Sequence, residues 1–277
     1  MKKQIIIIVL LLSSLFSSDV IKIAPLPMVK SQRLLNQYIP MLRYLEKKTN
    51  LKFEIVYVSD YDQIIQKLID SEIDIAFLGP LPYVEITKRC KSIIPLVRFL
   101  NSKGEEKYTC SLFSLDNSSL KLSKLRDKKV ALTQKYSTCG FLAVEQMLQK
   151  NQNSLKNSSY NFMGSHSNAV LEVVLGNYEL GGAKSSIVKS YQHIGLKILA
   201  TSQKFPGFVF AAKSKNLSNQ TLIKIKKALM DLKPLTSKKD REITKEWGKN
   251  LKYGVVEAKD DDYNIIREIL QKIELPK

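Results

Sequence analysis

Short apolar runs alternate with amphipathic stretches from Val20 onward, and this alternation limits the folds open to the chain. "VIKIAPLP" predicts a short buried strand, and the helical region after it is expected to run most strongly from Pro40 through "PMLRYLEKKTN". Proline suits a first helical position, and Asn50 is a suitable stop. "FEIVYVSD" is a second strand, while "YDQIIQKLIDSE" sets Ile64, Ile65, Leu68 and Ile69 at helical spacing on one apolar face. "IDIAFLGP" closes the run as a third strand. Strand, helix, strand, helix, strand predicts an α/β chain whose parallel strands are covered by helices.

A polar turn, "NSKGEEK", follows the strand "IIPLVRFL" and precedes a single strand "YTCSLFSL". A second alternating run begins at "KVALTQ", continues through a helix from about Gly140 and another from about Ser167 to Leu175, and ends at "LKILATS". Past "QKFPG", the strand "FVFAAK" leads into three helical segments, "NQTLIKIKKALMDL", "SKKDREITKEWGK", which holds the single tryptophan, Trp247, and "DDDYNIIREILQKI". Two alternating runs joined by short crossings predict two lobes with a ligand cleft between them. The expected division is a leader over 1–18, a first lobe over 19–104, a second over 105–204, and a return to the first over 205–277.

The opening "MKKQIIIIVLLLSSLFSS" has a basic start, an apolar stretch and small polar residues, the layout of a secretory signal peptide. No cysteine follows the apolar stretch, so a lipid anchor is not expected, and the mature chain is read as starting near Asp19 in the periplasm. Nothing else has the unbroken apolar length of a membrane span. The net charge of +18 raises nucleic acid as a partner. Against that reading, the cations are almost all lysines at polar helical positions, without the clustered arginines and interleaved aromatics of nucleic-acid sites. A lysine-rich solvated surface raises the local concentration of small anions instead.

Cys90, Cys110 and Cys139 allow one disulfide and one leftover thiol in an oxidising compartment, and spacing does not choose the pair. They match no zinc pattern, and with only His166 and His193 in the chain no metal or cofactor is expected. His193 is read as a structural or surface residue.

The candidate chemistry lies where strands meet helices, since ligands of such sheets bind at strand C-terminal ends. Ser59, Asp60 and Tyr61 mark one such junction, and Ser165, His166 and Ser167 mark another. In "YSTCGF", Ser137 and Thr138 would give hydroxyl donors, Cys139 and Gly140 would give N–H donors, and Gly140 would let the backbone approach an anion closely. Tyr108 and Cys110, two apart in a strand, are expected to face one side. Tyr61, Tyr108, Ser137, Thr138, Cys139, Gly140 and His166 thus form a candidate cage for a tetrahedral oxyanion. The same hydroxyls can also be read as plain N-caps. An enzyme is not expected, because no Gly-x-Ser-x-Gly elbow, His-Glu-x-x-His helix or Gly-Lys-Ser/Thr phosphate loop occurs.

"DYDQIIQKLIDSEIDIAFLGPLPYVE", "YSTCGFLAVEQML" and "GSHSNAVLEVVLGNYELGGA" together resemble the substrate-binding proteins of phosphonate, phosphite and phosphate ABC transporters. The resemblance implies a two-lobed periplasmic binding protein of type 2, each lobe a mostly parallel sheet flanked by helices. It also implies a monomer that closes on a small oxyanion and delivers it to a permease. By match of motif Tyr61, Tyr108, Ser137, Thr138, the Cys139 backbone and His166 would hold the anion. Cys139 stands where the family has a second serine, so a hydroxyl donor becomes a weak thiol. At positions where amino-phosphonate binders carry acids, this chain has Ser186 and Phe208, which favours phosphate, phosphite or methylphosphonate. Two alternatives stay open: a sensory module presenting the same lobes to a receptor kinase, and a thiophilic oxyanion such as arsenite held by Cys110 and Cys139. Cys110 can equally be a buried hydrophobe or bridge Cys90.

Overall fold

The computed structural model describes residues 20–28, 31–122 and 125–276, so the expected leader over 1–18 lies outside the described residues. The first alternation folds as β1 (Ile21–Ala24), α1 (Ser31–Thr49), β2 (Phe53–Ile55), α2 (Tyr61–Ile69), β3 (Ile75–Leu78), α3 (Pro80–Arg89) and β4 (Ile93–Phe99). After β5 (Lys107–Tyr108) come β6 (Cys110–Leu115), β7 (Lys129–Leu132), α4 (Ala143–Gln149), β8 (Ser159–Phe162), α5 (His166–Val174), β9 (Leu180–Lys184), α6 (Ser185–Ser190) and β10 (Leu196–Thr201). The chain then runs through β11 (Phe205–Pro206), β12 (Val209–Lys213), α7 (Asn219–Met230), α8 (Lys238–Thr244), β13 (Val255–Glu257) and α9 (Asn264–Leu270).

Two sheets result, one of six strands ordered β13-β4-β12-β3-β1-β2 and one of five ordered β10-β6-β9-β7-β8. Both are mixed rather than mostly parallel. β2, β1 and β3 run parallel, but β12 enters between β3 and β4 antiparallel to both, because it arrives from the other sheet. In the second sheet β7 is parallel to β8 and β9, while β6 is antiparallel to β9 and β10. The crossing segments lie side by side as a third, two-stranded sheet, with Tyr108 of β5 opposite Phe205 of β11.

Pro40 lies inside α1 instead of opening it. A mid-helix proline costs about 3 kcal/mol or more. The turns before it offset that cost by burying Leu34 and Tyr38, each 2% exposed, and a fully buried large apolar side chain contributes ~1.5–3 kcal/mol. Asn50 does end the helix, at positive φ. "YTCSLFSL" is two strands rather than one: Tyr108 belongs to the crossing, whereas Cys110 opens β6 opposite Lys184 of β9. Trp247 is buried, with its ring 5.5 Å from that of Tyr44 in α1, so the C-terminal segment is anchored on the first helix.

Candidate functional site

Four helix starts meet at one small cavity. Tyr61 opens α2 after the cap Asp60, whose carboxylate accepts the Gln63 N–H at 2.8 Å. Gly79 caps α3, and prolines at 80 and 82 remove two N–H groups from its first turn, leaving that of Leu81. Ser137 caps a π turn (Thr138–Leu142) that runs into α4, and Ser165 caps α5, which His166 opens. Each start contributes unpaired backbone donors and a partial positive charge.

A small cavity between these ends is lined by Tyr61, Tyr108, Ser137, Thr138, Cys139 and His166, with Leu26, Gly79, Pro82, Lys184 and Phe208 completing the wall. Its free volume is about 10 Å³, near the room taken by one water-sized sphere. Six of the seven residues singled out in the sequence therefore come together here. No carboxylate is among the lining residues, and Lys184 carries the one formal positive charge there.

Hydrogen bonding sets which groups can donate. Ser137 Oγ accepts the Gly140 N–H at 2.9 Å, and Thr138 Oγ1 accepts the Leu81 N–H at 3.0 Å. With an acceptor site filled on each oxygen, both hydroxyl protons can turn into the cavity. His166 Nδ1 accepts the Lys184 N–H at 3.3 Å, which puts the imidazole proton on Nε2. Burial, aided by the Lys184 ammonium, pulls His166 down to about 4, so near neutrality it is an uncharged donor. Burial likewise pushes the Tyr61 and Tyr108 phenols well above their ordinary value, which keeps their protons in place. Lys184 is lowered to about 8 by burial and, secondarily, by Lys249.

Gly140, the seventh, is not among the residues lining the cavity. Its N–H is used on the Ser137 cap, and a Cβ there would come 1.9 Å from Thr133 Oγ1. The glycine is required so that the loop can press on the end of β7.

Cys110 and Cys139 form a disulfide, with Cα atoms 5.0 Å apart, and Cys90 is the free cysteine at the C-terminal end of α3. The bridge ties the first residue of β6 to the π turn of the cage. Cys110 therefore pairs neither with Cys90 nor with a ligand, and Cys139 offers no thiol. Thiolate coordination of arsenite by this pair does not fit the bonded sulfurs.

Direct bonds link the two sides of the cavity. Besides Leu81 to Thr138, the Tyr61 N–H donates to Gln134 Oε1 at 3.1 Å and Gln134 Nε2 donates to the Pro27 carbonyl at 3.2 Å, while a bond from Gln134 Nε2 to the Gly164 carbonyl at 2.7 Å, within one side, holds the amide in place. Arg89 donates to the Tyr136 hydroxyl at 3.1 Å. Phe208 stacks between Phe77 and Tyr108, at 5.0 and 5.8 Å, whereas Ser186 lies on a neighbouring, wider cavity.

Sequence reasoning missed Lys184, Gln134 and the α3 start. Lys184 ends the strand "ELGGAK" just before a helix, the same kind of junction that marked the other residues, but it is one of many lysines. The Gly-Pro-Leu-Pro run at 79–82 is a helix-start signal in its own right.

The comparisons with known proteins agree with this architecture. The family model described as "ABC transporter, phosphonate, periplasmic substrate-binding protein" matches residues 23–263. The phosphate-import protein PhnD of Mycolicibacterium smegmatis is 28% identical, over 91% of this chain and 85% of that protein. Among solved structures, PhnD1 of Prochlorococcus marinus in complex with methylphosphonate superposes with a TM-score of 0.80 at 17% identity, covering 92% of this chain and 98% of that one. A binding protein component of an ABC phosphonate transporter from Pseudomonas aeruginosa gives 0.76 at 18% identity, covering 90% and 85%. At such identities the structures speak for the fold, a type 2 periplasmic binding fold, while the family match spans most of the chain. The chain belongs to the family of periplasmic substrate-binding proteins of phosphonate ABC transporters.

Proposed function

We propose that this protein captures a small tetrahedral phosphorus oxyanion, phosphate, phosphite or a small phosphonate, in the cage between its lobes and delivers it to an ABC permease. The observation that carries this reading is the convergence of neutral donors with no opposing carboxylate. Tyr61, Tyr108, Ser137, Thr138 and His166 would donate side-chain protons, and the first-turn N–H groups of Thr138 and Cys139 would donate from the backbone. Such a set suits an anion with several acceptor oxygens and repels nothing it carries. The absence of an acid from the wall disfavours an ammonium-bearing substituent in the inner cage. The names of two similar proteins, a phosphate importer and a methylphosphonate complex, support the ligand class.

On this reading residues 1–18 are cleaved on export, and the monomeric mature chain works in the periplasm. Its lobes, 19–104 with 205–277 and 105–204, would move about the paired crossings β5 and β11. Among the described residues no helix is long and apolar enough to cross a membrane.

Thermal shift of the mature protein tests the proposal. A ligand at about a hundredfold excess over its dissociation constant should add roughly 2.7 kcal/mol. Phosphate, phosphite or methylphosphonate should raise the melting temperature with or without reductant at concentrations that leave the bridge intact. No shift with any of the three would overturn the ligand class, and turnover of a chromogenic phosphate ester would overturn the carrier reading.

A further inference from the structure

Lys184 lines two cavities. Its ammonium lies 5.0 Å from the Tyr108 ring centre and 4.8 Å from that of Phe208, and these three residues form the wall common to the inner cage and a neighbouring cavity of about 360 Å³. That outer cavity is also lined by Lys103, Lys107, Lys189, Lys204 and Lys249. Its two carboxylates are already engaged, Glu105 with Lys204 at 3.6 Å and Glu106 with Arg98. Among the described residues the other five lysines have no carboxylate within ion-pair distance.

A high overall lysine content would scatter cations over the surface without this arrangement. Here one ammonium lies against two stacked aromatic rings at the boundary of the cage, partly withdrawn from water, with no protein anion to answer it. Desolvating a cation is costly unless a counter-charge or a ring face compensates. The two rings supply part of that compensation, and an anionic group on a ligand would supply the rest.

We infer that the preferred ligand is a phosphonate or phosphate ester whose substituent itself ends in an anionic group, a carboxylate or a second phosphoryl. Its phosphorus head sits in the inner cage, and its substituent passes alongside the stacked rings of Tyr108 and Phe208 to Lys184 and the lysines of the outer cavity. This rests on the phosphorus-oxyanion reading of the cage. It extends that reading from the head group, which the neutral donors recognise, to the substituent, which the cations select.

Three phosphonates with one head and substituents of different charge test it by isothermal titration at low salt. Phosphonoacetate should bind at least about tenfold tighter than methylphosphonate, and 2-aminoethylphosphonate weakest of the three. Lys184→Gln should bring the phosphonoacetate-to-methylphosphonate ratio close to one. Lys249→Gln, at a position further from the core of the fold, should lower that ratio about two- to threefold and guards against a folding defect in the first variant. Methylphosphonate binding as tightly as phosphonoacetate, or a ratio that neither substitution moves, overturns the inference while leaving the oxyanion site standing. Failure of all three phosphonates and of inorganic phosphate to bind would instead remove the oxyanion reading, and this inference with it.

Discussion

The inner cage and the outer lysine cavity share one wall yet are built on opposite principles. The cage, about 10 Å³, is made of short, fixed dipoles: helix starts, hydroxyls seated by backbone N–H groups, and an imidazole whose proton position is set by a hydrogen bond. The outer cavity, about 360 Å³, is made of long flexible side chains bearing full charges. Fixed neutral dipoles discriminate geometry, because moving an acceptor by a fraction of an ångström loses the bond. Flexible cations discriminate charge over longer range and tolerate varied shapes. On the proposed reading the pairing teaches that head group and substituent would be recognised by separable devices, with Lys184 at their junction.

Breaking the scaffold of the cage should have the largest effect. Replacing both Cys110 and Cys139 with serine removes a bridge across a sequence separation of 29. Loss of such a bridge typically costs about 2–4 kcal/mol, or about 5–15 °C for a chain of this size. Calorimetry of the double variant checks this; an unchanged melting temperature would mean that the bridge does not brace the cage.

Removing one donor comes next. Thr138→Val deletes a hydroxyl and strands the Leu81 N–H, and a hydrogen bond to a charged group is worth about 1.5–3 kcal/mol, so methylphosphonate affinity should fall about ten- to a hundredfold. Ser186→Ala, in the outer cavity, should leave methylphosphonate binding within about twofold. Equal losses in the two variants by titration calorimetry would dissolve the distinction between the cavities.

Alkaline pH should weaken the outer device selectively. Lys184 holds its proton below about 8, and affinity for an anionic substituent should decline as pH rises through that value. His166, near 4, and the phenols of Tyr61 and Tyr108, raised by burial, do not change charge over the same interval. Lys249 is the neighbouring cation that adds to the lowering of Lys184. The sign reverses for folding without ligand: between about 8 and the ordinary lysine value the unfolded chain binds more protons at this site, so its contribution to stability rises with pH. Titrations of phosphonoacetate and methylphosphonate at stepped pH separate the two behaviours. The smallest effect is expected from salt: raising ionic strength from about 0.01 to 0.15 M shortens the screening length from ~30 to ~8 Å and should narrow the preference for phosphonoacetate only a few-fold. A preference indifferent to salt would place the selecting charge inside the cage.

Much of the fold was legible because its signals are local. The period of Ile64, Ile65, Leu68 and Ile69 predicts α2, and all but Ile69 are buried. Ser137 and Ser165, read as helix-start residues, cap their helices through the N–H groups of Gly140 and Asn168. Pro40 misled because propensity is a local cost, whereas the burial of Leu34 and Tyr38 that offsets it depends on the rest of the protein. The single strand read across Tyr108 and Cys110 is split because the chain changes sheet between them.

The sequence by itself determined the alternating α/β organisation, the helix starts that carry the donors, and the family, since each is encoded within a few consecutive residues. Only the tertiary structure decided that Cys110 meets Cys139, that Leu81 reaches Thr138 and that Lys184 lies against Phe208. These contacts join residues 29, 57 and 24 positions apart. They follow from sheet order and register, which distant parts of the chain set together.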